Sequence, residues 1–122
     1  MKENVADYLD YRFEKIKILK QTDKGEVWLA STKATGQLVT IKFINFVGLP
    51  YADLQKISCK LCAKIFYCAE DISDTVVVEE FIQGENLADR KNFLTDAQAR
   101  KIILQLCDGL KILHDVGIVH RD

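Results

Sequence analysis

The stretch from Leu19 to Lys42 constrains the fold most, because its apolar and polar residues alternate in segments separated by polar, glycine-containing turns. Such alternation is typical of half-buried β-strands, and the turns predict hairpins. The last segment, residues 38–43, carries Lys42 near its end. A lysine there is costly to bury unless an anion meets it. The pattern therefore predicts antiparallel strands that present an ammonium group to an anionic partner.

The sequence predicts a polar lead-in or short helix before these strands, over residues 1–10. Apolar residues at helical spacing indicate a short amphipathic helix over about 51–63. Two more strands are predicted at 65–69 and at 75–82, and the second is rich in β-branched residues. The fold class is therefore α+β, with a five-stranded antiparallel sheet and one short helix inserted after the third strand.

A long helix should follow the sheet. Thr95 can cap it, and Gln98 completes a Thr-x-x-Gln capping box. The helix should end near Gly117, and Gly109 inside it indicates close approach of another element. One face of this helix is an apolar stripe, made of Ile102, Ile103, Leu106, Cys107, Leu110 and Leu113.

Composition narrows the function classes. The chain has 122 residues, 48% of them hydrophobic, which suits one globular domain or part of one. Seventeen basic residues against 18 acidic ones give a net charge of -1 and no basic stripe, so nucleic-acid binding is not predicted. No apolar run approaches the roughly 18 residues of a membrane span, and no signal peptide is evident. These features predict a cytoplasmic protein.

Four cysteines are present, and Cys59 and Cys62 have the spacing of zinc ligands. No second pair of Cys or His follows at ligand spacing, so no metal site is predicted. The cysteines are interpreted as small buried thiols in a reducing compartment.

The segment Ile118–Asp122, which reads Ile-Val-His-Arg-Asp, closely resembles the start of the protein-kinase catalytic loop. Val39-Thr40-Ile41-Lys42 is similar to the kinase Val-Ala-Ile-Lys strand. Residues 81–87 resemble the hinge of bacterial serine/threonine kinases, and the order and spacing of all these segments also fit. The resemblance covers about residues 11–122.

The resemblance implies a domain organisation and a reaction. After the lead-in at 1–10, residues 11–87 would be the kinase small lobe and residues 88–122 the truncated start of the large lobe. The parent protein would transfer the γ-phosphoryl group of ATP, with Mg²⁺, to a Ser or Thr hydroxyl of a protein substrate. The fragment alone should be inactive, because the metal-binding segment and the activation loop would be missing.

The resemblance also implies roles for individual residues in nucleotide binding. Lys42 would contact the phosphates. Two of the three glycine positions of the phosphate loop carry Lys20 and Thr22, and only Gly25 remains, so an ordinary hairpin turn is the better interpretation of that stretch. The residues that would hold adenine are Val27 and Thr40 through their side chains and Glu80 and Ile82 through their backbone.

Two acidic residues compete as the partner of Lys42. Asp53 is the best match to the helix carboxylate that pairs with the lysine in the family. Glu79 falls at the gatekeeper position, on a strand face that should look towards the lysine. A lone buried carboxylate is unfavourable, so we expect Glu79 to pair with Lys42 and partly to replace Asp53. The alternative is a strand residue exposed by a register slip.

His120, Arg121 and Asp122 match the catalytic-loop triplet. Asp122 would be the base, His120 a packing scaffold and Arg121 the contact of an activation-loop phosphate. The main alternative function is a pseudokinase-type binding or scaffold module, and another is an interaction domain that binds no nucleotide. The apolar stripe of the long helix predicts self-association.

Overall fold

The computed structural model describes residues 3–45, 50–71 and 74–121. Its elements follow the order that the sequence predicts, with two short helical turns added before the last helix. The helices are α1 (Glu3–Arg12), α2 (Tyr51–Gln55), α3 (Leu87–Arg90), a 3₁₀ turn (Lys91–Phe93) and α4 (Asp96–Asp115). The strands are β1 (Phe13–Thr22), β2 (Gly25–Thr32), β3 (Leu38–Ile44), β4 (Ile65–Glu70) and β5 (Thr75–Glu80).

The strands form one five-stranded sheet in the order β1-β2-β3-β5-β4, and every neighbouring pair is antiparallel. Together with the inserted helix and the long helix α4, this confirms the predicted α+β fold class. β5 lies beside β3 because the chain between them passes through α2 and the edge strand β4. β5, which is rich in valine and is the most buried strand, is thereby placed inside the sheet, where β-branched side chains pack best.

The predicted helix over 51–63 is wrong in its length, because α2 ends at Gln55. Residues 59–62 form a turn instead, in which the Cys62 amide donates to the Cys59 carbonyl at 3.4 Å. The helix was predicted too long because the apolar residues Leu54, Ile57 and Leu61 have helical spacing. Such spacing does not show whether the backbone makes helical hydrogen bonds.

The structure divides into two compact units, Met1–Ile57 with Lys64–Phe81 and Ser58–Ala63 with Ile82–Asp122. In the first unit, helix α1 covers one face of the sheet. Leu9 and Phe13 are buried there, and the Tyr8 ring stacks on the Tyr67 ring with 4.5 Å between centroids. The other buried members of this core are Ala30, Val39, Ile41, Val76 and Val78. The N-terminal segment is therefore a packed helix.

In the second unit, α4 begins with the predicted capping box. The Gln98 amide donates to the Thr95 hydroxyl at 3.2 Å, and the Thr95 amide donates to the Gln98 side-chain oxygen at 3.0 Å. Gly109 is approached by Leu61, whose Cβ lies 3.5 Å from the position that a Cβ on the glycine would occupy. Of the apolar stripe, Leu113 is buried while Ile103 and Leu106 are exposed. No described helix has the length and hydropathy needed to cross a membrane.

The capping box gives a first prediction. We expect Thr95→Ala to lower the free energy of unfolding of α4 by about 1 kcal/mol, because the cap hydroxyl that satisfies an amide of the first turn is lost. Loss of helical circular dichroism on heating measures it. Thr95→Ser keeps the hydroxyl and should melt like the natural chain. Equal melting of the alanine and serine variants would contradict this role of the cap.

Candidate functional site

The candidate site lies on the sheet face opposite α1, where Lys42 and Glu79 form an ion pair. The Lys42 Nζ lies 3.1 Å from the Glu79 Oε1, and the two side chains are 34% and 12% exposed. The pair expected from the sequence is therefore present. Because a carboxylate so far removed from water needs a partner, each charge compensates the other.

Strand register produces this pair. Glu79 on β5 lies opposite Thr40 on β3, and Val77 lies opposite Lys42, so the charged residues are diagonal neighbours on one face. Diagonal neighbours in an antiparallel pair are within reach of long side chains. Val39 and Ile41 point to the opposite face and are buried in the core against α1. Burial of that face fixes the register of β3 against β5, and this register places Lys42 within reach of Glu79.

Asp53, the other expected partner of Lys42, is placed elsewhere. Its Oδ1 lies 3.9 Å from the Lys56 Nζ, one helical turn away, and both side chains are largely exposed. An exposed pair of this kind contributes little to stability. The pairing of Asp53 with Lys42 is thus not the one that the structure makes.

Tyr51 is a member of this site that the sequence reasoning missed. It is the first residue of α2 and is half-buried. Burial raises the pKa of its phenol above the ordinary value, and the negative charges of Glu79 and Glu70 raise it further. The sequence signal was an aromatic residue directly after Pro50, at the start of a helix that packs on β4 through Gln55, which donates to the Phe66 carbonyl at 3.2 Å.

The raised pKa of Tyr51 gives a second prediction. Replacing Glu79 with Gln removes one of the negative charges, so the pKa of Tyr51 should fall towards the usual value for tyrosine. Ultraviolet titration of phenolate in natural and Glu79→Gln protein measures the change, with Tyr51→Phe to identify the transition. In the natural protein, stability linked to Tyr51 is complete below the unfolded pKa and is lost as the pH rises through the higher folded pKa. An unchanged Tyr51 titration in Glu79→Gln would contradict the proximity of Glu79 to Tyr51.

The degraded phosphate loop is a tight hairpin. Lys20 and Thr22 are exposed residues of β1, and Gly25 opens β2 directly opposite Thr22. Gly25 has a φ of +145°, and a Cβ there would lie 1.9 Å from the Phe43 carbonyl oxygen. This glycine is therefore needed for close contact between β2 and β3. That agrees with the hairpin interpretation, while a role in phosphate binding stays a prediction.

The expected adenine-binding residues in the first unit share the face of Lys42. Val27 lies opposite Lys42 and Thr40 lies opposite Glu79, and both are half-buried. The Glu80 amide already donates to the Lys64 carbonyl at 2.9 Å, which excludes it as a donor to a base. In the second unit, Ile82 is exposed.

Two residues of the expected catalytic-loop triplet, His120 and Arg121, lie within the described part of the chain. His120 and Arg121 are exposed, and Arg121 has a φ of +65°. Asp122, the expected base, lies outside the described residues. Within the described ranges, no three or more His, Cys, Asp or Glu side chains group in a way that could hold a metal ion.

Comparison with known proteins identifies the family to which the chain belongs. The family model of the protein kinase domain matches residues 13–122, so the chain belongs to the protein kinase domain family. It is 29% identical to the serine/threonine-protein kinase pkn2 of Myxococcus xanthus and 27% identical to the probable serine/threonine-protein kinase ndrC of Dictyostelium discoideum. These matches cover 93% and 91% of this chain. The chain spans only 15% and 10% of the length of those two relatives.

Proposed function

We propose that this chain is the nucleotide-binding part of a serine/threonine protein kinase. The observation that carries the proposal is the placement of Lys42. The Lys42 ammonium group is held by Glu79 on the sheet face that also carries Val27 and Thr40. The chain that carries this arrangement belongs to the protein kinase domain family. A fixed lysine beside half-buried side chains suits a ligand that combines phosphates with a flat apolar base.

The proposed roles follow the reaction. Lys42 contacts the α- and β-phosphates, while Val27 and Thr40 pack on adenine. The Glu80 carbonyl and the Ile82 amide would bond the edge of the base. The substrate hydroxyl attacks the γ-phosphorus, the bond to the bridging oxygen of ADP breaks, and Asp122 takes the hydroxyl proton. His120 and Arg121 position Asp122 and a regulatory phosphate, and Gly25 and Thr22 lie in the loop that would cover the phosphates.

Mg²⁺ accompanies ATP in such reactions and is bound largely through the phosphates. Among the described residues, no group of acidic side chains fits a resident Mg²⁺. The proposal therefore assigns no step to the metal and rests on the lysine and the sheet face.

Calorimetric titration of the chain with Mg-ATP tests this function. We expect saturable binding that weakens about 10- to 100-fold in Lys42→Met, because charge-assisted contacts to phosphate are lost. Lys17→Met, which changes an exposed strand lysine, is the matched control and should bind like the natural chain. Equal binding by the two variants would contradict a phosphate contact of Lys42. Phosphoryl transfer to Ser or Thr is then measured with the whole protein.

The second candidate is a pseudokinase-type scaffold, and one observation favours it. Lys20 and Thr22 stand where glycines would let amides approach phosphates, and Gly25 serves sheet packing. A scaffold of this kind would bind Mg-ATP weakly and show no transfer in the whole protein. A nucleotide-free interaction domain would show neither binding nor an ATP-induced rise in melting temperature.

Self-association and location complete the proposal. Ile103, Leu104 and Leu106 on α4 are each more than half exposed, and a second copy of the chain would bury them. Light scattering should then give a mass above that of the monomer, whereas a monomer at high concentration contradicts it. A cytoplasmic location goes with the use of ATP and with four free cysteines.

A further inference from the structure

The turn Cys59-Lys60-Leu61-Cys62 holds two thiols in an arrangement that the nucleotide site does not use. The Cys62 amide donates to the Cys59 carbonyl at 3.4 Å, closing a four-residue turn. A turn of this type keeps its first and last Cα atoms within about 7 Å of each other. Disulfides need a Cα separation of about 4.4–6.8 Å, so this backbone lies near the range for a bridge.

The side chains also meet. Burial raises the pKa of the Cys62 thiol, and a hydrogen bond between the two thiols raises it further. The Leu61 amide donates to the Cys59 sulfur at 3.4 Å, and an N–H donor of this kind stabilises negative charge on sulfur. Both cysteines are half-buried, so small reagents reach them. Cys59 is thus the sulfur that receives a backbone donor, and Cys62 is a thiol held beside it.

We propose that Cys59 and Cys62 form a reversible disulfide when the protein meets a hydroperoxide. The Cys59 thiolate attacks a peroxide oxygen, the O–O bond breaks, and the leaving oxygen takes a proton to give water or an alcohol. Cys59 is then a sulfenic acid. The Cys62 sulfur attacks the Cys59 sulfur, the S–S bond forms, and the hydroxyl leaves as water with the proton of Cys62. Two thiols are oxidised by two electrons, and the peroxide is reduced.

The remaining cysteines are poorer candidates for this chemistry. Burial and the charge of Glu70 raise the pKa of the Cys68 thiol, which also contacts the Gln55 side-chain oxygen at 3.5 Å. Cys107 is exposed on α4. The turn has a structural role as well, because its Leu61 packs on Gly109 of α4. The disulfide would therefore fix a segment that supports the long helix.

Hydrogen peroxide is the probe that tests this proposal on the natural chain. Reactive thiols should fall from four to two, and a dithiol reductant should restore all four. Trypsin cuts after Lys60, between the two cysteines, so the bridge should appear as the peptides Ile57–Lys60 and Leu61–Lys64 joined at a mass two hydrogen atoms below their sum. Retention of all four thiols, or a bridge that uses Cys68 or Cys107 instead, would overturn the proposal.

Variants separate the two sulfur roles. Cys62→Ser should stop at the sulfenic acid, which dimedone traps on Cys59, and should give no joined peptides. Cys107→Ser is the matched control and should lose two thiols like the natural chain. The test by joined peptides uses the natural chain, so it does not depend on whether a variant folds. Failure to trap Cys59 in Cys62→Ser, or loss of the reaction in Cys107→Ser, would count against the assignment.

Discussion

Replacing Gly25 with alanine should destabilise the sheet by about 3 kcal/mol or more, a large part of the total stability of a domain. The new Cβ would lie 1.9 Å from the Phe43 carbonyl oxygen and 3.0 Å from its carbon, where no real Cβ fits. The φ of +145° adds backbone strain to this overlap. The atom that must give way is backbone of the central strand β3, so relief would disturb the strand that carries Lys42. Urea denaturation followed by Trp28 fluorescence measures the loss.

Two other glycines provide matched controls for Gly25. Gly36 has a φ of +73° with nothing within 4 Å of an added Cβ, so Gly36→Ala carries strain of about 1 kcal/mol without overlap. Gly84 has neither a positive φ nor a neighbour within 4 Å, and its alanine variant should match the natural chain. If Gly25→Ala lost no more stability than Gly36→Ala, the close contact between β2 and β3 would be wrong.

Lys42→Met should lower the free energy of unfolding by about 2 kcal/mol, in addition to any effect on nucleotide binding. It leaves the Glu79 carboxylate, which is only 12% exposed, without its partner. Breaking a fully buried pair costs about 3–5 kcal/mol, and the partial exposure of Lys42 reduces that cost. Chemical denaturation of the two proteins without nucleotide measures the difference.

Adding Glu79→Leu to Lys42→Met should restore the stability that Lys42→Met alone removes. Lys42→Met combined with Glu79→Leu replaces both charges with apolar groups, and its stability should return to near that of the natural chain. The double variant should still bind Mg-ATP weakly. Comparing it with Lys42→Met therefore separates the effect on stability from the effect on phosphate binding. Lys56→Met, which breaks the exposed pair with Asp53, is the control and should cost less than about 0.5 kcal/mol. Equal losses in Lys42→Met and Lys56→Met would contradict the buried character of the pair.

Part of the pairing of Lys42 with Glu79 was accessible from the sequence because strand alternation is a local rule. Period-two patterning assigned each residue to a face of its own strand, whereas the register of β3 against β5, which a long connection joins, is fixed by burial of the opposite face. The capping box at Thr95 was readable for a similar reason, because its hydrogen bonds join residues three positions apart.

The missed features depend on contacts between segments distant in sequence. The length of α2 was overpredicted because Leu61 is apolar in order to meet Gly109, 48 positions later, and lies outside the helix. Tyr51 was missed because no local pattern encodes its electrostatic interaction with Glu79 of β5. For residues 1–10 the sequence left a polar lead-in and a short helix open, and the helix is present; Val5, Tyr8 and Leu9, which pack in the core, have helical spacing.

The attachment of Glu79 to a strand, and not to a helix, has a consequence for control of the lysine. Neighbouring strands are locked by backbone hydrogen bonds, so Lys42 and Glu79 take up their relative positions when the sheet folds and keep them. In many enzymes that transfer phosphate, the acid sits on a helix that swings in or out to switch activity. Here such a swing of α2 would leave the ion pair of Lys42 and Glu79 intact.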